Sequence, residues 1–201
     1  MVGRRRDALE QTGELLQSPW AAFDGDLADD RAIPSIVRRI LDKFPRIDAL
    51  VNNAGIAPSL PVEAHTPEIV RTTFAVNAIG PTNLIAALWP TFVNQRSGRI
   101  VNVSSVAARD PFPGFLAYAP AKAAVNMLAT LCATEGAAHG IKAFGVAPGA
   151  TETAMLRAIF SEADIPPDRV LKPEDVARVI VACLVGDRDD QNGCTMYIPS
   201  P

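Results

Sequence analysis

Cysteine and histidine are scarce in this sequence, which limits the kinds of site that it can form. The 201 residues include three cysteines and two histidines. The cysteines have no C-x-x-C spacing and the histidines lie far apart in the chain (Cys132, Cys183, Cys194; His65, His139). These patterns argue against a disulfide framework and against a metal site, and they fit a reducing compartment. We therefore expect a cytoplasmic protein without a metal.

An excess of basic residues and a long apolar run are also missing. Lysine and arginine number 19 against 22 acidic residues, and the net charge is −3. A nucleic-acid surface needs a basic patch, and the cluster at residues 4–6 is too short to bind a duplex. No run of 18 apolar residues occurs, and the first residues lack the apolar segment of a signal peptide. We expect no nucleic-acid partner, no membrane span and no signal peptide.

What the sequence does contain is a regular alternation of short apolar runs and amphipathic stretches. The apolar runs predict strands at 47–51, 99–103, 141–149 and 194–198. The amphipathic stretches predict helices at 29–44, with Asp29 or Asp30 as N-cap, and at about 67–93, 118–139 and 173–185. This alternation predicts an α/β fold in which helices cover both faces of a parallel sheet. With no repeat or linker, residues 1–201 are expected to form one domain.

Polar residues follow three of the predicted strands, in the pairs Asn52–Asn53, Ser104–Ser105 and Thr151–Thr153. Any one pair can be turn chemistry alone. In a parallel sheet, however, ligands bind at the carboxyl ends of the strands. Three such pairs in succession therefore favour a binding crevice at that edge.

Tyr118 and Lys122 stand one turn apart at the start of an alanine-rich helix, which places both on one helix face. Pro120 between them is tolerated only in the first turn. A phenol has a pKa of about 10, and a nearby ammonium lowers a pKa by about 1–3, toward the range of a useful general acid or base. Ser105 could hold the oxygen of a substrate beside them. Considered alone, such a pair is more often a packing tyrosine and a solvated lysine than a site.

Five motifs together resemble the short-chain dehydrogenases/reductases, with the 3-oxoacyl carrier-protein reductase type as the nearest likeness. They occur in the order and spacing of that family and span nearly the whole chain: VNNAG at 51–55, AVNAIG at 75–80, IVNVSS at 100–105, YAPAK at 118–122 and VAPGATET at 146–153. The resemblance implies a Rossmann-type, doubly wound, three-layer αβα fold. It also implies an oxidoreductase that interconverts a ketone and a secondary alcohol, and a homodimer or homotetramer.

The resemblance assigns roles to individual residues. Tyr118 would be the acid/base residue, and Lys122 would lower its pKa and hold the nicotinamide ribose. Ser105 would orient the substrate carbonyl, and Asn77 would belong to a proton relay, although a polar residue in a helix kink would look the same. The remaining cofactor contacts implied are Asp26 and Leu27 at the adenine, Asn53, Ala54 and Gly55 at the adenosine ribose, and Pro148, Gly149, Thr151 and Thr153 at the nicotinamide.

The resemblance also bears on the choice between NADP and NAD. In this family an acidic residue at the end of the second strand binds the adenosine 2′-hydroxyl and favours NAD. The corresponding stretch here is GRRRD at 3–7, where Gly3 has no carboxylate and Arg4 could pair with a 2′-phosphate. We expect NADP, with NAD as the alternative. The arginines could instead simply solvate the start of a helix.

The sequence departs from the family in its phosphate-binding element. It contains no TGxxxGIG loop and no strand preceding one, so the expected fold is N-terminally truncated relative to the family. Two other functions therefore stay open. A non-catalytic binding or regulatory protein could use the same scaffold without a cofactor. A sugar-nucleotide epimerase or dehydratase would use the same tyrosine and lysine, but usually with a larger C-terminal domain.

Overall fold

A computed structural model describes residues 1–201, which form six strands and seven α-helices. The strands are β1 (Val2–Gly3), β2 (Phe23–Asp24), β3 (Ala49–Asn52), β4 (Gly98–Val103), β5 (Ile141–Pro148) and β6 (Thr195–Ile198). The helices are α1 (Arg6–Glu14), α2 (Ile33–Lys43), α3 (Pro67–Phe74), α4 (Gly80–Gln95), α5 (Tyr118–Gly136), α6 (Ala154–Arg157) and α7 (Pro173–Val185). No helix combines the length and the apolar character that crossing a membrane requires.

All strand pairs are parallel, as the alternating pattern predicted. Four strands form one sheet in the order β3-β4-β5-β6, and β1 and β2 form a separate two-stranded sheet. The pairing of β3 with β4 sets Asn52 opposite Asn102, and the pairing of β4 with β5 sets Val103 opposite Val146. The carboxyl ends of the central strands therefore lie side by side at one edge of the sheet.

The central strands are apolar on both faces because helices cover both. Ile100 and Ala143 pack in a cluster with residues of α2, α4 and α5. Val101 and Phe144, one position further along each strand, pack on the opposite face against Val176 of α7 and its neighbours. Alternate strand residues point to opposite faces, so the three-layer αβα arrangement follows directly from these two runs.

Most predicted boundaries agree with the structure, and one cap is wrong. The helix predicted at 173–185 has those bounds, and the strand predicted at 141–149 ends one residue earlier, at Pro148. The helix predicted from Asp29 or Asp30 instead begins at Ile33, with Ala32 as N-cap and no side-chain capping bond. The Asp29 carboxylate accepts a hydrogen bond from the Arg31 N–H, so it stabilises the turn that precedes the helix.

The long helical stretch predicted from residue 67 is interrupted by a π-helical turn, Ala75–Ile79, between α3 and α4. Asn77 lies at the centre of this turn and is fully buried. π-Helical turns within α-helices often occur at functional sites because they re-aim side chains. Here the turn places Asn77 beside the loop that follows β3.

Candidate active site

A cavity of about 710 Å3 opens at the carboxyl edge of the four-stranded sheet. It lies where the loops after β3, β4 and β5 meet the start of α5. Most of the residues that the sequence placed at a site or at this edge of the sheet line it: Asn53, Gly55, Ser104, Ser105, Tyr118, Lys122, Pro148, Gly149, Thr151 and Thr153. The predicted crevice is therefore present, and three separate strand ends contribute to it.

Tyr118 is the first residue of α5, so Pro120 lies in the first turn of the helix, where a proline is tolerated. The Lys122 side chain is only 5% exposed, and its Nζ lies 5.8 Å from the centre of the Tyr118 ring. The same Nζ donates a hydrogen bond to the Val103 carbonyl oxygen at 2.7 Å. The helix start thus brings a phenol and a buried ammonium into one site at the end of β4.

The pKa values of this pair differ from what the sequence suggested. Burial raises the pKa of Tyr118, and only a hydrogen bond with Ser105 opposes the rise. Burial lowers the pKa of Lys122 to about 8. The expected lowering of the Tyr118 pKa by Lys122 is therefore wrong for this structure. Loss of solvent around the phenol dominates, and Nζ bonds to a backbone carbonyl instead of to the tyrosine oxygen.

The two serines after β4 have different surroundings. The Ser104 hydroxyl is buried and donates to the Lys122 carbonyl oxygen at 3.0 Å, which ties β4 to α5. The Ser105 oxygen accepts a hydrogen bond from the Ala107 N–H at 3.2 Å. A hydroxyl that accepts in this way keeps its own proton available for a second partner. Ser105, the serine predicted to orient a carbonyl, is therefore better suited to a ligand than Ser104.

Asn77 does not line the cavity but supports its wall. Its Oδ1 accepts from the Ile56 N–H at 2.9 Å, and its Nδ2 donates to the Ile56 carbonyl oxygen at 2.8 Å. A Cβ on Gly55 would lie 3.1 Å from Asn77 Oδ1 and 3.5 Å from Lys122 Nζ, so a glycine lets the loop backbone approach both. Asn77 therefore positions the loop after β3, and its part in a proton relay remains a prediction.

Four predicted cofactor residues lie outside the cavity. Arg4 is exposed and forms no ion pair, whereas its neighbour Arg6 pairs with Glu10 and Asp24. Asp26 accepts a hydrogen bond from the Ala28 N–H, Leu27 packs against the core cluster of α2 and α4, and Ala54 is exposed. Arg4 follows β1 and Asp26 and Leu27 follow β2 in the chain, whereas Ala54 lies between the cavity residues Asn53 and Gly55.

The residues around Lys122 fit the nicotinamide end of a dinucleotide. An ammonium has three donor hydrogens, and Nζ has one acceptor, Val103 O. Its other two N–H groups could bind a diol such as a ribose. Gly55 keeps the adjoining backbone free of a side chain, and Thr151 and Thr153 follow β5 on the opposite side of the cavity.

Two apolar walls of the cavity were not among the predicted site residues. Leu156, Ile159, Phe160 and Ile165, in the segment after β5, line the cavity. Phe112 and Phe115, which precede Tyr118 in the chain, line it too and were missed. Their position in a Pro- and Gly-rich loop, where a core role is uncommon, was the available indication.

This fold and site define a class: a Rossmann-type αβα protein with a serine, a tyrosine and a lysine in one crevice at the carboxyl edge of its sheet. A model of the short chain dehydrogenase family matches residues 1–164. The 3-oxoacyl-(acyl-carrier-protein) reductase of Thermotoga maritima is 35% identical over 181 residues, covering 87% of this chain and 74% of that protein. The chain belongs to the short-chain dehydrogenase family, among relatives of the 3-oxoacyl-(acyl-carrier-protein) reductase type.

Solved structures agree with this assignment. The 3-ketoacyl-(acyl-carrier-protein) reductase from Brucella melitensis complexed with NADH has a TM-score of 0.87 at 28% identity, covering 98% of this chain and 84% of that one. ElxO with NADP bound has a TM-score of 0.86, also at 28% identity, covering 98% and 85%. The protein is thus an NAD(P)-dependent oxidoreductase that acts on small molecules. One neighbour is bound to NADH and the other to NADP, so they do not decide between NAD and NADP for this chain.

Proposed function

We propose that the protein interconverts a ketone and a secondary alcohol with NADP(H), and that Tyr118 is its acid/base residue. One observation carries the proposal: Ser105, Tyr118 and Lys122 line the same cavity. Ser105 and Tyr118 bring two hydroxyl groups together where a carbonyl oxygen could accept a hydrogen bond from each. The 3-oxoacyl and 3-ketoacyl reductases among its relatives and neighbours support this type of reaction.

The side chains divide the work of the reduction. When bound, the nicotinamide supplies a hydride to the carbonyl carbon. Ser105 donates a hydrogen bond to the carbonyl oxygen, where negative charge develops. Tyr118 transfers its phenolic proton to that oxygen, which completes the alcohol. The raised pKa of Tyr118 leaves the phenol protonated at neutral pH but also makes it a weaker acid, because a general acid works best with a pKa near the operating pH. Lys122 would hold the ribose of the bound cofactor through the two donor hydrogens that the bond to Val103 O leaves free.

The test of this proposal is the turnover of ketones with NADPH by Tyr118→Phe, with Tyr197→Phe as the matched control. Tyr197 is the other tyrosine of the chain, and its hydroxyl bonds to Asn126 instead of lining the cavity. Removing the Tyr118 hydroxyl should lower kcat by about 10²–10⁴-fold, the usual contribution of a general acid. Equal turnover by Tyr118→Phe and the wild type would remove the tyrosine from the mechanism.

We also propose that NADP is preferred to NAD because of Arg4. Arg4 is exposed without a carboxylate partner at the end of β1, so its guanidinium is available for a 2′-phosphate. Arg4→Ala should weaken NADPH binding about tenfold and leave NADH binding unchanged. Arg5→Ala, the neighbouring exposed arginine, is the control, and titration calorimetry measures both cofactors. Binding of neither cofactor to the wild type would favour a non-catalytic scaffold protein.

Finally, we propose that two copies pair through the long helices α4 and α5. Met127 and Leu131 are 57% and 49% exposed and lie one turn apart on the same face of α5, where they form a small apolar patch. The mass in solution, measured by light scattering, should be that of a dimer or tetramer. The charged variant Leu131→Lys should shift it toward the monomer.

A further inference from the structure

The cavity beside Tyr118 has two apolar walls that the proposed chemistry does not use. One wall comes from the loop after β4, and the other comes from α6 and the segment that follows it. Their main side chains are Val106, Phe112, Phe115, Met155, Ile159 and Phe160. In enzymes, such walls contact the part of the substrate that does not react, so their chemistry indicates what that part is.

Aromatic rings lead from the mouth of the cavity to the phenol. The Phe112 and Phe115 rings are 6.3 Å apart in an edge-to-face arrangement, and the Phe115 and Tyr118 rings are 5.2 Å apart. Phe112 is 50% exposed and Phe115 is buried. Ile159 and Phe160 pack against the same cluster from the opposite wall. A ligand that reaches Tyr118 along this route therefore contacts hydrocarbon on both sides.

No free cation is available along these walls. Lys122 is the only charged side chain that lines the cavity. Its Nζ already donates to Val103 O, and its remaining donors are assigned to the cofactor. A carboxylate or phosphate placed at the buried inner end of these walls, beside Phe115, would have to leave water without gaining an opposite charge, which is strongly unfavourable.

Two arginines that lie close in the chain to wall residues are already engaged. Arg157, the residue after the wall residue Leu156, donates to both Glu152 carboxylate oxygens, at 2.8 and 2.5 Å. It also donates to the carbonyl oxygens of Ser161 and Ile165, at 3.2 and 2.7 Å, so all three of its nitrogens have partners. Arg109 lies 4.1 Å above the Tyr197 ring and pairs with Asp110 at 3.0 Å.

We propose that the substrate is an uncharged ketone or secondary alcohol with apolar groups on both sides of the reacting carbon, and that the cavity selects against carboxylates. This inference rests on the proposed function. It goes beyond it by naming the substrate class and the two walls that select it. The selection is electrostatic as well as steric, because the walls supply neither a charge nor a polar partner for an anion.

Two pairs of ketones test the inference, each differing only in a methyl group replaced by a carboxylate. They are 2-heptanone with 6-oxoheptanoate, and 4′-methylacetophenone with 4-acetylbenzoate. Titration calorimetry measures binding, and NADPH oxidation measures turnover. We expect the neutral member of each pair to bind more tightly and to have a kcat/KM at least roughly 100-fold higher. Equal or tighter binding of the carboxylates would overturn the inference.

The two readouts separate this inference from the proposed function. Selective binding of the neutral ketones without any turnover would support the apolar cavity and contradict the reductase. Turnover of the carboxylates as fast as the neutral ketones would support the reductase and contradict the substrate class.

A charge placed on one wall tests the cause of the selection. Met155 lines the cavity and is 43% exposed, so a long polar side chain there can stay solvated. Met155→Arg should reduce the preference for the neutral ketones about tenfold or more, because it supplies the missing cation. Met155→Gln, of similar length without the charge, should not. The same change in both variants would show that polarity, and not charge, controls the selection.

Discussion

Replacing Lys122 by methionine should make the protein more stable and less active. The Lys122 ammonium is buried, and its pKa is lowered from 10.5 to about 8. At 1.36 kcal/mol per pH unit, holding the charged form in the folded state costs about 3 kcal/mol at pH 7. Methionine removes this cost but leaves the Val103 carbonyl oxygen without its donor, a loss of about 1 kcal/mol. The net gain is about 2 kcal/mol, or about 4–8 °C in Tm for a chain of this size.

The stability difference between Lys122→Met and the wild type should depend on pH. Between pH 8 and pH 10.5 the unfolded chain binds a proton at Lys122 that the folded chain has lost, so the free energy of unfolding of the wild type rises with pH. At pH 9.5 the cost of burying the charge has fallen to about 1 kcal/mol, and the advantage of Lys122→Met should almost vanish.

Urea unfolding of the wild type and Lys122→Met at pH 7 and pH 9.5 measures this difference. Lys43→Met is the control, because Lys43 is exposed on α2 and its loss should change stability by less than about 0.5 kcal/mol. A Lys122→Met variant less stable than the wild type at pH 7, or a difference independent of pH, would refute the reasoning. Loss of ketone turnover in the same variant would separate the functional value of the lysine from its structural cost.

Two further substitutions test other contacts described above. Asn77→Ala removes both hydrogen bonds to Ile56 and should lower the free energy of unfolding, measured in urea, by about 2–3 kcal/mol. Asn94→Ala, on the exposed side of α4, should lower it little. An unchanged stability of Asn77→Ala would contradict a positioning role for Asn77. Hydrogen bonds from Arg99 and Lys142 lower the pKa of Asp189 to about 2, so the wild type should lose stability as the pH falls from about 4 to about 2. Asp189→Asn should lack this acid-induced loss of stability, which is about 1 kcal/mol because the carboxylate is partly exposed. If the Tm values of the two proteins fell in parallel between pH 5 and pH 2.5, this role of Asp189 would be contradicted.

The order of the main elements could be predicted from the sequence because their apolar periods are strong. The strands β4 and β5 are continuous apolar runs, and α7 begins with a proline and carries a clear apolar stripe. Helix α1 was not predicted, since its residues are mostly polar and Gly13 is its only buried residue. Helix α6 has four residues, too few for a period to be visible.

The site was predicted by residue type and spacing, but its electrostatics could not be. Spacing placed Ser105, Tyr118 and Lys122 together correctly. Whether the pKa of Tyr118 rises or falls depends on how deeply the ring is buried, and no local sequence pattern reveals that depth. The hydrogen-bond partner of Asn77, Ile56, lies 21 residues away in the chain. The hydrogen bonds of Arg157 include one to the Ile165 carbonyl oxygen, which depends on how the segment after α6 folds back.

Two hydrogen bonds fasten the start of α5 to the end of β4: one from Ser104 to the Lys122 carbonyl oxygen, and one from Lys122 Nζ to the Val103 carbonyl oxygen. Ser105 and Tyr118 are therefore held by the scaffold directly and do not depend on the exposed residues 109–113 of the loop between them. Mutations at those residues can alter which molecule enters while Ser105 and Tyr118 keep their places. Substitutions in this loop can therefore change which substrates the enzyme accepts without changing the reaction that it performs.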